Sequence, residues 1–121
     1  MKLKHTFILF FLVVLFVSCT TDSEYDLTDN TPINQPVMYT ETVSTIMNFN
    51  CNFCHGAVPS NGAYSSLNTY ENVRNSVLNG ALIQRISNAQ GSAGMMPDKG
   101  TRMPQSTIDK IIKWKNDGFL K

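Results

Sequence analysis

Five consecutive residues hold most of the chemistry available to this chain. Cys51-Asn52-Phe53-Cys54-His55 sets two thiols three positions apart and puts an imidazole directly after the second. On a helical turn, residues three apart share a face, so both sulfurs can reach one edge of a flat ligand. The next residue is turned about 100° around the axis, which lets its ring nitrogen swing under that ligand. This is the C-x-x-C-H spacing of c-type haem attachment, with two thioethers to the porphyrin vinyl groups and a histidine nitrogen on the iron.

Other uses of the same residues have less support. A structural zinc site needs four protein ligands, but the chain holds three Cys and two His in all; His5 lies in a segment read below as an export signal, and Cys19 follows it at an expected lipidation site. A thioredoxin-like dithiol expects a βαβ setting, and no strand pattern is evident. A plain Cys51–Cys54 disulfide in an oxidising compartment would leave His55 without a role. A copper site using Cys51, Cys54, His55 and nearby methionines is a further alternative.

The elements that must position these residues read as helices. Val37, Tyr39, Val43, Ile46 and Met47 fit one side of an amphipathic helix leading into Cys51. Asn68 or Thr69 is the expected cap of a helix carrying Tyr70, Val73, Val77 and Leu78 and stopped by Gly80. Leu82, Ile83 and Ile86 suggest a short helix. The clearest is the last, with Ser106 or Thr107 as the expected cap, Ile108, Ile111, Ile112 and Trp114 in its apolar stripe, and Gly118 at its end. A Gly-rich stretch, Asn88 to Pro104, holds Met95, Met96 and Met103.

The N-terminus reads as an address. Lys2 and Lys4 precede an unbroken apolar run from Phe7 to Val17. The run is short for a membrane span, which takes roughly 20 residues, and fits a signal peptide over residues 1–18. It ends in Phe16-Val17-Ser18-Cys19, which resembles the lipobox of bacterial lipoproteins, with Phe16 where Leu is usual. That resemblance implies that Cys19 is alkylated by a diacylglycerol and becomes the first residue of the mature chain. Residues 19–36 then form the lipidated Cys and an acidic tether, with Asp22, Glu24, Asp26, Asp29 and two prolines. Residues 37–121 form the functional domain.

Composition narrows the function. The chain has 121 residues, 42% of them hydrophobic, and a formal net charge of +1, which suits one small domain with appendages. The domain from residue 37 carries eight basic and five acidic side chains, too mild a bias to imply nucleic acid. With residues 1–18 removed, His55 is the sole histidine. A second axial ligand to iron from within the chain therefore has to be of another type, and a methionine thioether suits it.

The chain resembles the small class I c-type cytochromes, monohaem electron carriers. The matching features are CNFCH near the start of the domain, Met96-Pro97 and Gly100 in a Gly-rich loop, and a closing helix with Ile108, Ile111, Trp114 and Gly118. The likeness covers residues 37–121, with CNFCH its specific part. It implies an all-α fold wrapped round one covalent haem c with His and Met axial ligands. His55 is the proximal ligand. Met96 is the expected distal one, since the family's axial Met often precedes Pro; Met103, before Pro104, is the alternative, and Met95 the third choice.

Secondary assignments follow. The Pro59 carbonyl is a candidate acceptor for the other ring nitrogen of His55. Arg85, Arg102 and Trp114 are candidates for a haem propionate. Lys110, Lys113 and Lys115 suit the C-terminal half of a helix through its dipole, and they could also face an acidic partner. The function expected is single-electron transfer between redox donor and acceptor proteins of the bacterial envelope, by a carrier lipid-anchored to a membrane and facing the periplasm or the cell surface. A haem-based sensor of small ligands shares every motif. A haem peroxidase would need an open iron and a distal acid or base, for which the mature chain has no second histidine.

Overall fold

The computed structural model describes residues 33–121. The signal peptide, Cys19 and the tether up to residue 32 lie outside the described residues. A π-type turn at Tyr39–Val43 runs directly into α1 (Ser44–Asn50), followed by α2 (Asn52–His55), α3 (Tyr70–Leu78), α4 (Leu82–Ser87) and α5 (Gln105–Asn116). No strand occurs among the described residues, so the all-α expectation holds. No helix among them is long and apolar enough to cross a membrane.

Apart from α2, which buries no residue, each helix buries most of the stripe its spacing provides; Leu78, expected in the stripe of α3, is exposed. Val43, Ile46 and Met47 are buried from the first segment, Val73 and Val77 from α3, Leu82 and Ile86 from α4, and Ile108, Ile111 and Trp114 from α5. These residues join Val37, Leu67 and Met103 in one cluster. Ile33, within the segment assigned to the tether, also packs against it. Helix α5 lies against both α4 and the π-type turn.

The caps match expectation in one helix and differ in another. Thr69 caps α3 by accepting from the Asn72 amide at 3.2 Å. Helix α5 starts earlier than the Ser106 or Thr107 cap expected. It begins at Gln105, and the Pro104 carbonyl takes the Thr107 and Ile108 amides at 3.1 and 3.2 Å. Proline holds φ near the helical value and has no amide of its own to satisfy, so it starts the helix without a side-chain cap.

The chain ends close around Trp114. Past α5, Gly118 and Phe119 both take positive φ, 85° and 62°, which turns the tail back over the indole. This conformation is costly for Phe119, by about 1–2 kcal/mol. Several contacts offset the cost. The Phe119 amide donates to the Trp114 carbonyl at 2.9 Å, and the two rings meet edge-on at 4.9 Å. The Tyr70 hydroxyl donates to the Phe119 carbonyl at 2.8 Å. The Leu120 carbonyl accepts from both the Tyr39 amide, at 2.9 Å, and Trp114 Nε1, at 2.7 Å. Trp114 thus spends its one polar atom inside the core, and its assignment to a haem propionate is withdrawn.

Asp117 joins the two ends of the domain. Its Oδ2 accepts from the Val37 amide at 2.8 Å and its Oδ1 pairs with Lys113 Nζ at 2.7 Å. These bonds, with the Lys113 hydrogen bond foremost, hold its carboxyl below the usual aspartate range. A depressed folded-state pKa gives stability that is present above the unfolded value, about 4, and lost as pH falls through the folded one.

Two outcomes are expected. Trp114→Ala should lower the unfolding free energy by about 3–5 kcal/mol in chemical denaturation; a loss under about 1 kcal/mol would show that the indole is not the centre of the core. Asp117→Asn should make the melting temperature less sensitive to pH as it falls below about 4; an acid limb as steep as that of the wild type would assign the acid sensitivity elsewhere.

Candidate functional site

The CNFCH segment straddles a break between two helices. Cys51 closes α1 through its amide, which donates to the Met47 carbonyl at 2.8 Å, but its φ of −124° departs from the helix. A new turn then forms on the Cys51 carbonyl, which accepts from the Cys54 amide at 3.1 Å and the His55 amide at 2.8 Å. The two cysteines therefore bracket one turn, as their spacing predicts. Both thiols are free.

The chain leaves His55 through Gly56, where a Cβ would come within 2.9 Å of the Asn52 carbonyl. The loop that follows folds back and satisfies the acceptors that end α2. The Ser60 amide donates to the Cys54 carbonyl at 2.8 Å, and the Leu67 amide to the His55 carbonyl at 2.7 Å. Leu67 itself is buried in the core, so the loop is anchored where it touches the histidine.

The imidazole is oriented by the same loop. His55 Nδ1 lies 2.7 Å from the Ser65 carbonyl oxygen. A carbonyl can only accept, so Nδ1 carries the proton and Nε2 of the neutral ring keeps its lone pair for a metal. Ser65 thus takes the role expected of Pro59. The loop path sets the Ser65 carbonyl at the ring and the Leu67 amide at the His55 carbonyl, so the two residues together hold His55 at both ends. Since the acceptor is a main-chain oxygen, no side-chain type marks it in the sequence.

The cysteines occupy different surroundings. Cys51 packs against the hydrophobic cluster, and burial pushes its thiol up to about 11. Cys54 lies beside the loop, with Asn61 Nδ2 3.7 Å from its sulfur. Phe49, Phe53, Val58 and Tyr64 are all exposed, Phe53 at 87%. Four of the six large exposed hydrophobics of the described residues therefore fall between positions 49 and 64, in the stretch of chain that holds both cysteines.

The three methionines separate by burial. Met103 is 3% exposed and belongs to the core cluster; Met95 is also buried. Met96 is only partly buried and packs against the cluster from outside, as Cys51 does. Its amide donates to the Arg85 carbonyl in the last turn of α4, at 3.0 Å.

Arg102 does not stand free for a propionate. It donates through Nε to the Asn88 carbonyl at 3.1 Å, through Nη1 to the Met103 carbonyl at 3.3 Å, and through Nη2 to Gln105 Oε1 at 2.6 Å. Arg85 reaches only the Gly94 carbonyl, at 3.4 Å. Lys113 is paired with Asp117. No three His, Cys, Asp or Glu side chains converge as a metal site among the described residues.

Compared with protein families, curated proteins and solved structures, the chain finds no match.

The environments of the two thiols predict different reactivities. The thiolate is the reacting form, so in protein made without haem maturation Cys51 should be alkylated at neutral pH by iodoacetamide more slowly than Cys54, by up to roughly a hundred-fold. Peptide mass mapping over time would read this, and equal rates would show that Cys51 is not shielded.

Proposed function

We propose that the protein is a c-type cytochrome that carries single electrons between redox proteins of the bacterial envelope, held to a membrane through lipid on Cys19. The observation that carries this reading is the set formed by two free thiols bracketing one turn and a histidine whose Nδ1 is committed to the Ser65 carbonyl. These residues fit a haem: Cys51 and Cys54 would hold it by thioethers, and His55 Nε2 would bind the iron. Met96 is the proposed sixth ligand, since it alone of Met95, Met96 and Met103 is not fully buried.

Bound there, the haem supplies one-electron Fe(III)/Fe(II) chemistry. The protein's part is to hold, orient and exclude water. The Ser65 carbonyl keeps the imidazole in one tautomer and one orientation. A Met thioether is neutral and soft, and its pairing with His favours a high potential. With His55 and Met96 both holding the iron, no position would stay open for a substrate, which suits a carrier rather than a peroxidase.

Intact mass of the mature chain, produced in a host with haem-maturation machinery, tests the proposal. The expected species starts at Cys19 and carries lipid and one porphyrin. Colourless protein of apo mass would overturn it. In the haem-loaded protein, Met96→Ala should admit carbon monoxide readily to the reduced iron, while Met103→Ala should instead lower stability by about 2–5 kcal/mol. The opposite pattern would transfer the ligand role to Met103, and ready binding by the wild type would favour the sensor.

A further inference from the structure

The Met96 loop has no helix of its own, and its neck is closed by two side chains. Gln90 sits on one arm. Its Nε2 donates to the Gly100 carbonyl at 3.0 Å and its Oε1 accepts from the Arg102 amide at 2.6 Å. A single amide group thus pairs with an acceptor and a donor two residues apart on the other arm, as a neighbouring strand would. Arg102 ties the arms a second time through the Asn88 carbonyl at 3.1 Å. Met95 and Met96 lie between these ties, whereas Met103 lies beyond them and is buried in the core. Inside the loop, Met96 has its amide on Arg85 and Gly100 has its amide on Pro97.

We propose that Gln90, seconded by Arg102, is a positioning residue that keeps the Met96 loop closed and so sets how readily Met96 yields the iron to an outside ligand. The inference rests on the cytochrome reading. Its physical basis is that the Met–iron bond competes with any added ligand only while the loop stays shut. Opening the loop requires both Gln90 bonds to break, and they are exposed to water, so each contributes modestly to closure. Arg102 also contacts the Met103 carbonyl and Gln105 at the start of α5, so its removal would disturb more than the neck. Gln90 is the cleaner probe.

The test uses the haem-loaded full chain and the variants Gln90→Leu and Gln90→Glu. Imidazole is titrated against the ferric protein by absorption, and hydrogen exchange of the Met96 amide is followed by NMR. Gln90→Leu should bind imidazole about ten-fold more tightly, equivalent to about 1.4 kcal/mol, with faster exchange at Met96. Gln90→Glu, which keeps an acceptor for the Arg102 amide but cannot donate to Gly100, should fall between it and the wild type. Should Gln90→Leu fail to fold, Gln90→Glu and the exchange measurement carry the test. Covalent haem with unchanged imidazole affinity and unchanged exchange would overturn the inference and leave the carrier intact. A chain without covalent haem would instead overturn the carrier, and the inference with it.

Discussion

The burial of one indole governs how this small domain closes. Trp114 is fully buried, and its N–H cannot be left without an acceptor in an apolar interior. The acceptor is the Leu120 carbonyl, which forces the tail to turn back immediately after α5. The positive φ values of Gly118 and Phe119 follow from that demand. So does the meeting of the chain ends, because the same carbonyl also binds the Tyr39 amide. Tyr39 and Tyr70 then pack around the indole, with ring centroids 5.7 and 5.8 Å from it. One polar atom on an otherwise apolar ring thereby couples the first and last elements of the domain.

The CNFCH turn is organised on different terms. It lies at the edge of the core, with Cys51 in contact with it and Phe53 almost wholly in water. Its rigidity comes from main-chain hydrogen bonds: the loop after Gly56 returns its amides to the carbonyls of Cys54 and His55. A helix of four residues has most of its terminal acceptors unsatisfied, and this loop supplies partners for three of them, through the Ser60 and Leu67 amides and the Ser60 hydroxyl. The same return brings the Ser65 carbonyl to the imidazole. Local backbone satisfaction and orientation of the histidine are thus consequences of one loop path.

The loop on the methionine side is held more lightly. Its ties are amide and guanidinium groups reaching main-chain atoms across a neck, many of them in contact with water. Segments of this kind open at lower free energy than packed helices. In the proposed carrier, opening of this segment would accompany exchange of the methionine for another ligand.

Periodicity marked the helices well. The apolar spacing of Val73 and Val77, and of Ile108, Ile111 and Trp114, predicts their buried faces, because a helix with one apolar stripe has a single way to hide it, whereas Leu78 at the end of its helix stays exposed. The CNFCH turn, the Thr69 cap and the all-α class were legible for the same reason: each depends on residues a few positions apart. The start of α5 was misplaced because Pro104, not a hydroxyl side chain, begins that helix. The Ser65 acceptor, the inward use of Trp114 Nε1 and the closing of the loop by Gln90 and Arg102 were not legible. In each of them a side chain meets a main-chain group brought near only by folding, and every residue carries the same carbonyl and amide. Side-chain type and spacing determine which elements form and which residues carry chemistry; the path of the backbone in three dimensions decides which atoms complete their bonds.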